Sequence, residues 1–114
     1  MDDRPSKERA EVPEVDAVII KGTRYEALPW GKARGLGQNG GIVAAFDVAS
    51  GRELWVLKVF EIACNAEMEG DKQDIFIAEM AVDGEHHLRV VAERGHGVWR
   101  VDLQRRTATR IGGV

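Results

Sequence analysis

Little in this chain is of the kind that staples or anchors a protein. Cys64 is the only cysteine, which excludes an intrachain disulfide and fits a reducing compartment. No apolar run approaches the ~18 residues of a membrane helix, and MDDRPSKERAEVPE at the N-terminus has no apolar stretch of the signal-peptide kind. The expectation is therefore a cytoplasmic protein with no membrane partner. A periplasmic location would require a leader removed before residue 1. Positive charge is not in excess either: the formal net charge is -3, against the basic balance of a general nucleic-acid binder. With three prolines and thirteen glycines, the chain is not of low complexity.

What is present suits one globular domain. Its 114 residues lie in the common domain range and are 44% hydrophobic and 31% charged, enough to build a core without a metal or a disulfide. Residues 1–14 hold eight charges and two prolines without periodicity and read as a disordered tail, leaving residues 15–114 as the folded domain. Order is expected from VDAVII onward, with β-branched residues favouring a strand, followed by a second strand over Thr23 to Leu28 that Pro29 ends.

IVAAFDV, the connection ASG and RELWVLKVF read as a β-hairpin. Gly51 suits a left-handed turn position, and Asp47 can accept backbone N–H groups there. Both faces of these strands are apolar, as expected of strands central in a sheet or sandwiched. IACNAEMEG could form two helical turns or a loop. DIFIAEMAV alternates, with Ile75, Ile77 and Glu79 predicted on one face and Phe76, Ala78 and Met80 on the other. Asp83-Gly84 marks a turn, HLRVVAE and VWRVDL a second hairpin around ERGHG, and RTATRI a last strand. The prediction is an all-β fold of seven to eight short antiparallel strands in two blade-like sheets, arranged as a small sandwich or a partial propeller.

The stretch GLGQNG (residues 35–40) has the spacing of a dinucleotide-binding glycine loop. That chemistry requires a strand immediately before the first glycine and a helix opening after the last. Here a proline- and glycine-interrupted segment precedes it and the hairpin follows, so the loop is read as a turn and no cofactor is expected.

GIVAAFDVASGRELW, Gly41 to Trp55, resembles the repeat of quinoprotein-like (PQQ-like) β-propellers, through Gly41, Val43, Ala45, Phe46, Asp47, Ser50, Gly51, Arg52 and Trp55. The resemblance implies structural roles: Asp47 and Gly51 shape the turn within a blade, and Trp55 docks against the neighbouring blade. A degenerate second copy lies 55 residues on, pairing Gly40, Val43, Phe46 and Asp47 with Gly95, Val98, Val101 and Asp102, while Arg106 and Arg110 stand where the glycine and tryptophan would be. A propeller needs about four blades, whereas this chain has strands for two. The sheets must therefore either assemble between copies or close as a sandwich. The cofactor-binding residues of quinoprotein dehydrogenases have no counterparts in this chain.

No catalytic set emerges, and the chain is expected not to be an enzyme. His86, His87 and His96 are the only histidines, and since His86 and His87 point to opposite faces of a strand, at most one could join His96 at a metal. Glu67, Glu69, Asp71 and Asp74 lack calcium-loop spacing. Cys64 has no neighbour to activate it. The binding candidates are Trp30, Lys32, Arg34, Gln38 and Asn39 on a glycine-rich loop, an aromatic-plus-arginine composition typical of interfaces. Arg105 and Arg106 join them from a basic block, Arg94 to Arg110 (balance +4), set against an acidic block from Glu61 to Glu85 (balance -7). The expected function is a non-catalytic protein-binding or self-assembling β-repeat module whose partner is a protein or a second copy. The rival expectation is a small-molecule or metal-binding β-protein using His86 or His87 with His96.

Overall fold

A computed structural model describes residues 13–61 and 75–112. The charged tail up to residue 12, the IACNAEMEG segment with Cys64, and the acids Glu67, Glu69, Asp71 and Asp74 lie outside the described residues. The fold is all-β: eight antiparallel strands form two four-stranded sheets that do not close into a barrel, and no α-helix occurs among the described residues. The first sheet is a meander of β1 (Val18–Ile20), β2 (Thr23–Leu28), β3 (Ile42–Asp47) and β4 (Glu53–Lys58). The second repeats that order with β5 (Ile77–Val82), β6 (His87–Ala92), β7 (Val98–Asp102) and β8 (Thr107–Gly112).

The hairpins fall where the turn residues and β-branched runs place them, with local differences. The first strand begins at Val18 rather than Val15. The β3–β4 connection runs from Val48 to Arg52, longer than the three residues ASG, because Asp47 and Ser50 organise it as a wider turn. β3 is interior and almost wholly buried, which explains its two apolar faces; β4 is the sheet edge and leaves Leu54 exposed. In β5 the ladder shifts between Ile77 and Glu79. This bulge turns Ile77 into the core together with Met80 and corrects the simple alternation that put them on opposite faces.

One core joins the sheets. Tyr25, Val43 and Ala45 of the first meet Leu88, Val90 and Val101 of the second, with Trp55 and Trp99 packed against the cluster. Fully burying residues of this size contributes about 1.5–3 kcal/mol each. Contacts between the sheets run along both edges. β1 runs beside β5, and Lys21 of the β1–β2 turn reaches Glu85 of the β5–β6 turn at 3.5 Å. Phe60, just beyond β4, stacks on Trp99 of β7 with ring centroids 4.5 Å apart. Arg106, in the β7–β8 turn, lies 5.3 Å over the Trp55 ring of β4.

The two contacting faces are not equivalent. In the first sheet it is the Val43–Ala45–Asp47 side of β3 that meets the second sheet, in register with Tyr25 and Trp55. In the second it is the Trp99–Val101 side of β7, which at an offset of 55 corresponds to the Ala44–Phe46 side of β3. The sheets therefore stack in the same sense, and each leaves open the kind of face that its mate buries.

The two hairpin turns share one geometry. The Gly51 amide donates to the Asp47 carbonyl and the Arg106 amide to the Asp102 carbonyl, both at 2.7 Å. Gly51 has φ 77° and Arg106 φ 59°, so an arginine occupies the left-handed position that glycine fills in the first copy. That conformation costs a non-glycine residue roughly 1–2 kcal/mol, partly offset by the contact with Trp55, worth about 0.5–1 kcal/mol. Trp55, in contrast, is not replaced by Arg110. Ladder shifts after Ala45 and after Val98 displace the edge strands differently. By cross-strand place, Trp55 (opposite Ala45) corresponds to Thr109 (opposite Arg100). Accordingly, Arg106→Ala should lower stability by about 0.5–1 kcal/mol. Arg106→Gly, which relieves the backbone as it loses the contact, should be near neutral or stabilising in a melt.

Candidate functional site

The β2–β3 connection, residues 29–41, is thirteen residues long where the corresponding β6–β7 connection, residues 93–97, has five. The glycine loop is thus a longer connection at the equivalent place of a sheet with the same topology. It folds as a 3-10 turn over Gly31–Arg34 and a return to β3, with no helix after the glycines. It is a turn, as its context indicated. Gly40 lies so close to the backbone of Ile75 and Phe76 that no Cβ fits between them.

The loop does not gather its candidate residues into one surface. Gln38 is buried, and its amide donates to the carbonyls of Gly40 and Phe60, both at 2.8 Å. It clamps the loop to the end of β4 and is not presented to a partner. The Arg34 guanidinium forms an ion pair with Glu53 at the start of β4. The Asn39 carbonyl accepts a bond from the Gly31 amide at 3.2 Å. Lys32 sits within the 3-10 turn. Trp30 packs edge-on against Phe76 with centroids 6.0 Å apart while remaining 52% exposed, so it both bridges toward the second sheet and offers a free ring face.

The basic block is likewise divided. Arg94 pairs with Glu93 and Arg100 with Asp83. Arg106 and Arg110 cover Trp55 and Trp99. Arg105 lines a shallow groove of about 320 Å³ on the open face of the second sheet, together with His87, Arg100, Asp102, Thr107, Thr109 and Ile111. The face is polar because the row Arg89, Arg100 and Thr109 occupies the cross-strand places that Tyr25, Ala45 and Trp55 hold in the first sheet. No sequence pattern marks this groove; it emerges only when the strands are set in register.

The histidines do not converge. His87 opens β6 and lies 3.7 Å from Asp102, while His96 lies past the other end of that strand. Five strand rises of ~3.3 Å separate the two ends of β6, too far for His87 and His96 to ligate one ion. His86 is near Glu85 at 3.8 Å. Glu93, 11% exposed, accepts the Phe76 amide at 3.0 Å at the His96 end of the sheet, remote from Asp102 at the opposite end of β7. Among the described residues no three His, Cys, Asp or Glu side chains gather for a metal ion.

Among the described residues, Asp47 and Asp102 are the carboxylates with displaced pKa values. The Ser50 hydroxyl and amide, at 2.7 and 2.9 Å, hold Asp47 below its usual value near 3.8. The Arg105 amide at 2.9 Å, followed by that of Gln104 at 3.0 Å, lowers Asp102 in the same way. Both are turn anchors, the role that the repeat resemblance implies for Asp47.

Among the described residues no helix is long and apolar enough to cross a membrane. In comparisons with models of protein families, with curated proteins and with solved structures, the chain matches none significantly.

Because both aspartates are more acidic folded than unfolded, their stabilisation is complete above the unfolded value and is lost as pH falls through the folded one. Asp47→Ala and Asp102→Ala should therefore lower the melting temperature at pH 7. The gap to the parent protein should narrow steadily below about pH 4, as followed by circular dichroism melts across the acid range.

Proposed function

We propose that this chain is a non-catalytic β-repeat module that acts by binding protein, and specifically by self-association. Its two sheets are taken as blade-like units of the quinoprotein-like kind. The observation that supports this reading is the same-sense stacking: the Val43–Ala45 face of one sheet meets the Trp99–Val101 face of the other. A two-fold sandwich of equivalent faces would use both up. Same-sense stacking leaves one face of each kind without a mate, and repeat units rely on neighbours to cover such faces. The scattering of the histidines, and of Glu93 from Asp102, supports the non-catalytic part of the reading.

The arrangement of charge bears on how association responds to salt. Arg106 and Arg110 lie over tryptophans within the chain, and Arg94 and Arg100 have acidic partners. This leaves the basic block divided among separate surfaces and argues for an association driven by apolar contact. Light scattering on a sizing column should give a mass above the 12.6 kDa of one chain, retained when salt rises from ~50 mM to ~1 M, where surface charges are screened within about 3 Å. A 12.6 kDa species at every concentration overturns the self-association reading. A mass that collapses in salt restores the charge blocks as the interface.

A further inference from the structure

The two open faces differ in chemistry, and the difference determines how copies can meet. Head-to-tail stacking would place the open face of the first sheet on the open face of the second, reproducing the internal contact. On the second sheet, however, the row equivalent to Tyr25–Ala45–Trp55 reads Arg89–Arg100–Thr109, with two arginines directly opposite each other. Covering them with an apolar sheet would strip water from two guanidinium groups, and only Arg100 has an acidic partner among the described residues, at Asp83. An unpaired buried charge costs several kcal/mol. That face ends the stack as a polar cap.

The open face of the first sheet is of the other kind. Its strand register places Ile19, Arg24, Phe46 and Glu53 at one level and Glu26, Ala44 and Val56 at the next, with Leu28 and Ile42 beyond them. Ile19 is 61% and Leu54 44% exposed. Arg24 lies 5.3 Å over the Phe46 ring and 2.6 Å from Glu26. The pattern is self-complementary about a two-fold axis running across the strands at the level of Tyr25, Ala45 and Trp55. Reversing the strands about that axis brings Arg24 over the partner's Glu26, and the pairing occurs twice, while Ala44 between them is already buried within the chain. Self-complementarity of this kind defines an isologous interface.

We infer that the open face of the first sheet, centred on Arg24, Glu26 and Phe46, is the contact between two copies of this chain in a closed two-fold dimer, with the Arg89–Arg100 face turned outward as its cap. This rests on the self-association reading and adds the surface, the symmetry and the limit of two. Ile19, Leu54 and Val56 extend the apolar area around the central pairs. The second sheet then faces solvent on both sides of the dimer, which blocks growth into rings or filaments.

The test uses the full chain in three forms, each by light scattering over a concentration series, with melting curves to establish folding. The parent should reach twice the 12.6 kDa of one chain and no more. Ile19→Glu combined with Leu54→Glu, both at exposed positions, should give a folded monomer or raise the dimer dissociation constant at least tenfold. Arg89→Glu on the capping face should leave the dimer unchanged. A parent that grows beyond a dimer, or a dimer weakened by Arg89→Glu and untouched by the double substitution, overturns the assigned surface while self-association stands. A parent that is monomeric throughout overturns both. The charge arrangement has its own readout: Arg24→Glu should weaken the dimer, and Arg24→Glu with Glu26→Arg should restore it, since the two-fold places each residue against the other's position. Failure of the double swap to restore association removes the two-fold register from the inference.

Discussion

Everything else in this fold depends on Ala45 being small. It sits in the interior strand of the first sheet with Tyr25 on one side and Trp55 on the other, 5.9 Å apart by ring centroid. The methyl group lets those two rings meet above it, on the face that packs with Leu88, Val90 and Val101 in one core. A single sheet cannot bury its own apolar face, so each half of the chain depends on that packing to cover it. Because the second sheet answers with its Trp99–Val101 side, the choice of contacting faces also determines which surfaces remain open. A large residue at Ala45 would act on both levels at once, by overpacking the seam and by disturbing the sense in which the sheets stack.

The turns secure this arrangement from the ends. Asp47 and Asp102 perform the same task fifty-five residues apart, each closing a hairpin by collecting N–H groups from the residues that follow. The first copy does so with a glycine at the left-handed position. The second uses Arg106, whose side chain turns a costly backbone position into a contact between sheets by lying over Trp55. Arg106, at the position where the first sheet's turn has a glycine, thus ties the two sheets together. The tryptophan of the first copy and the arginine of the second meet at the seam, so their loss should be coupled rather than additive.

Much of the architecture was legible in the residues. The strands from Thr23 to Leu28 and from Ile42 to Asp47 follow from β-branched and apolar runs bounded by proline and glycine. The turn role of Asp47 follows from its place beside Ser50 and Gly51. What was not legible comes from single-residue irregularities in register. The bulge in β5 moves Ile77 to the Met80 face, and the shifts after Ala45 and Val98 make Thr109, not Arg110, the counterpart of Trp55. One extra residue reverses the facing of all that follow it, and no local preference announces where it falls. The candidate site was legible least. Gln38 reads as a solvent amide in a flexible loop, yet it is spent on the carbonyls of Gly40 and Phe60. The run of arginines from Arg94 to Arg110 reads as one basic surface, yet only Arg100 and Arg110 lie in strands, and the block is divided between Glu93, Asp83 and the rings of Trp55 and Trp99.

Alternation along the strands is also why the open faces have opposite characters. In β6 and β7 the inward residues Leu88, Val90, Trp99 and Val101 are apolar, and the outward pairs His87–Asp102 and Arg89–Arg100 are polar, with Val91–Val98 the apolar exception, a largely two-faced pattern. β3 lacks that pattern: Ile42, Ala44 and Phe46 on its open side are as apolar as Val43 and Ala45 on its core side. Within one chain, two sheets of the same topology have taken the patterns of a terminal and an interior layer. A loop cap accounts for Ile42, which lies under Gly31 of the β2–β3 connection. Arg24, lying over Phe46 and paired with Glu26, screens part of the rest of that side, where Ala44 is fully buried. An arginine that lies over an aromatic ring lowers the cost of leaving part of Phe46 in water.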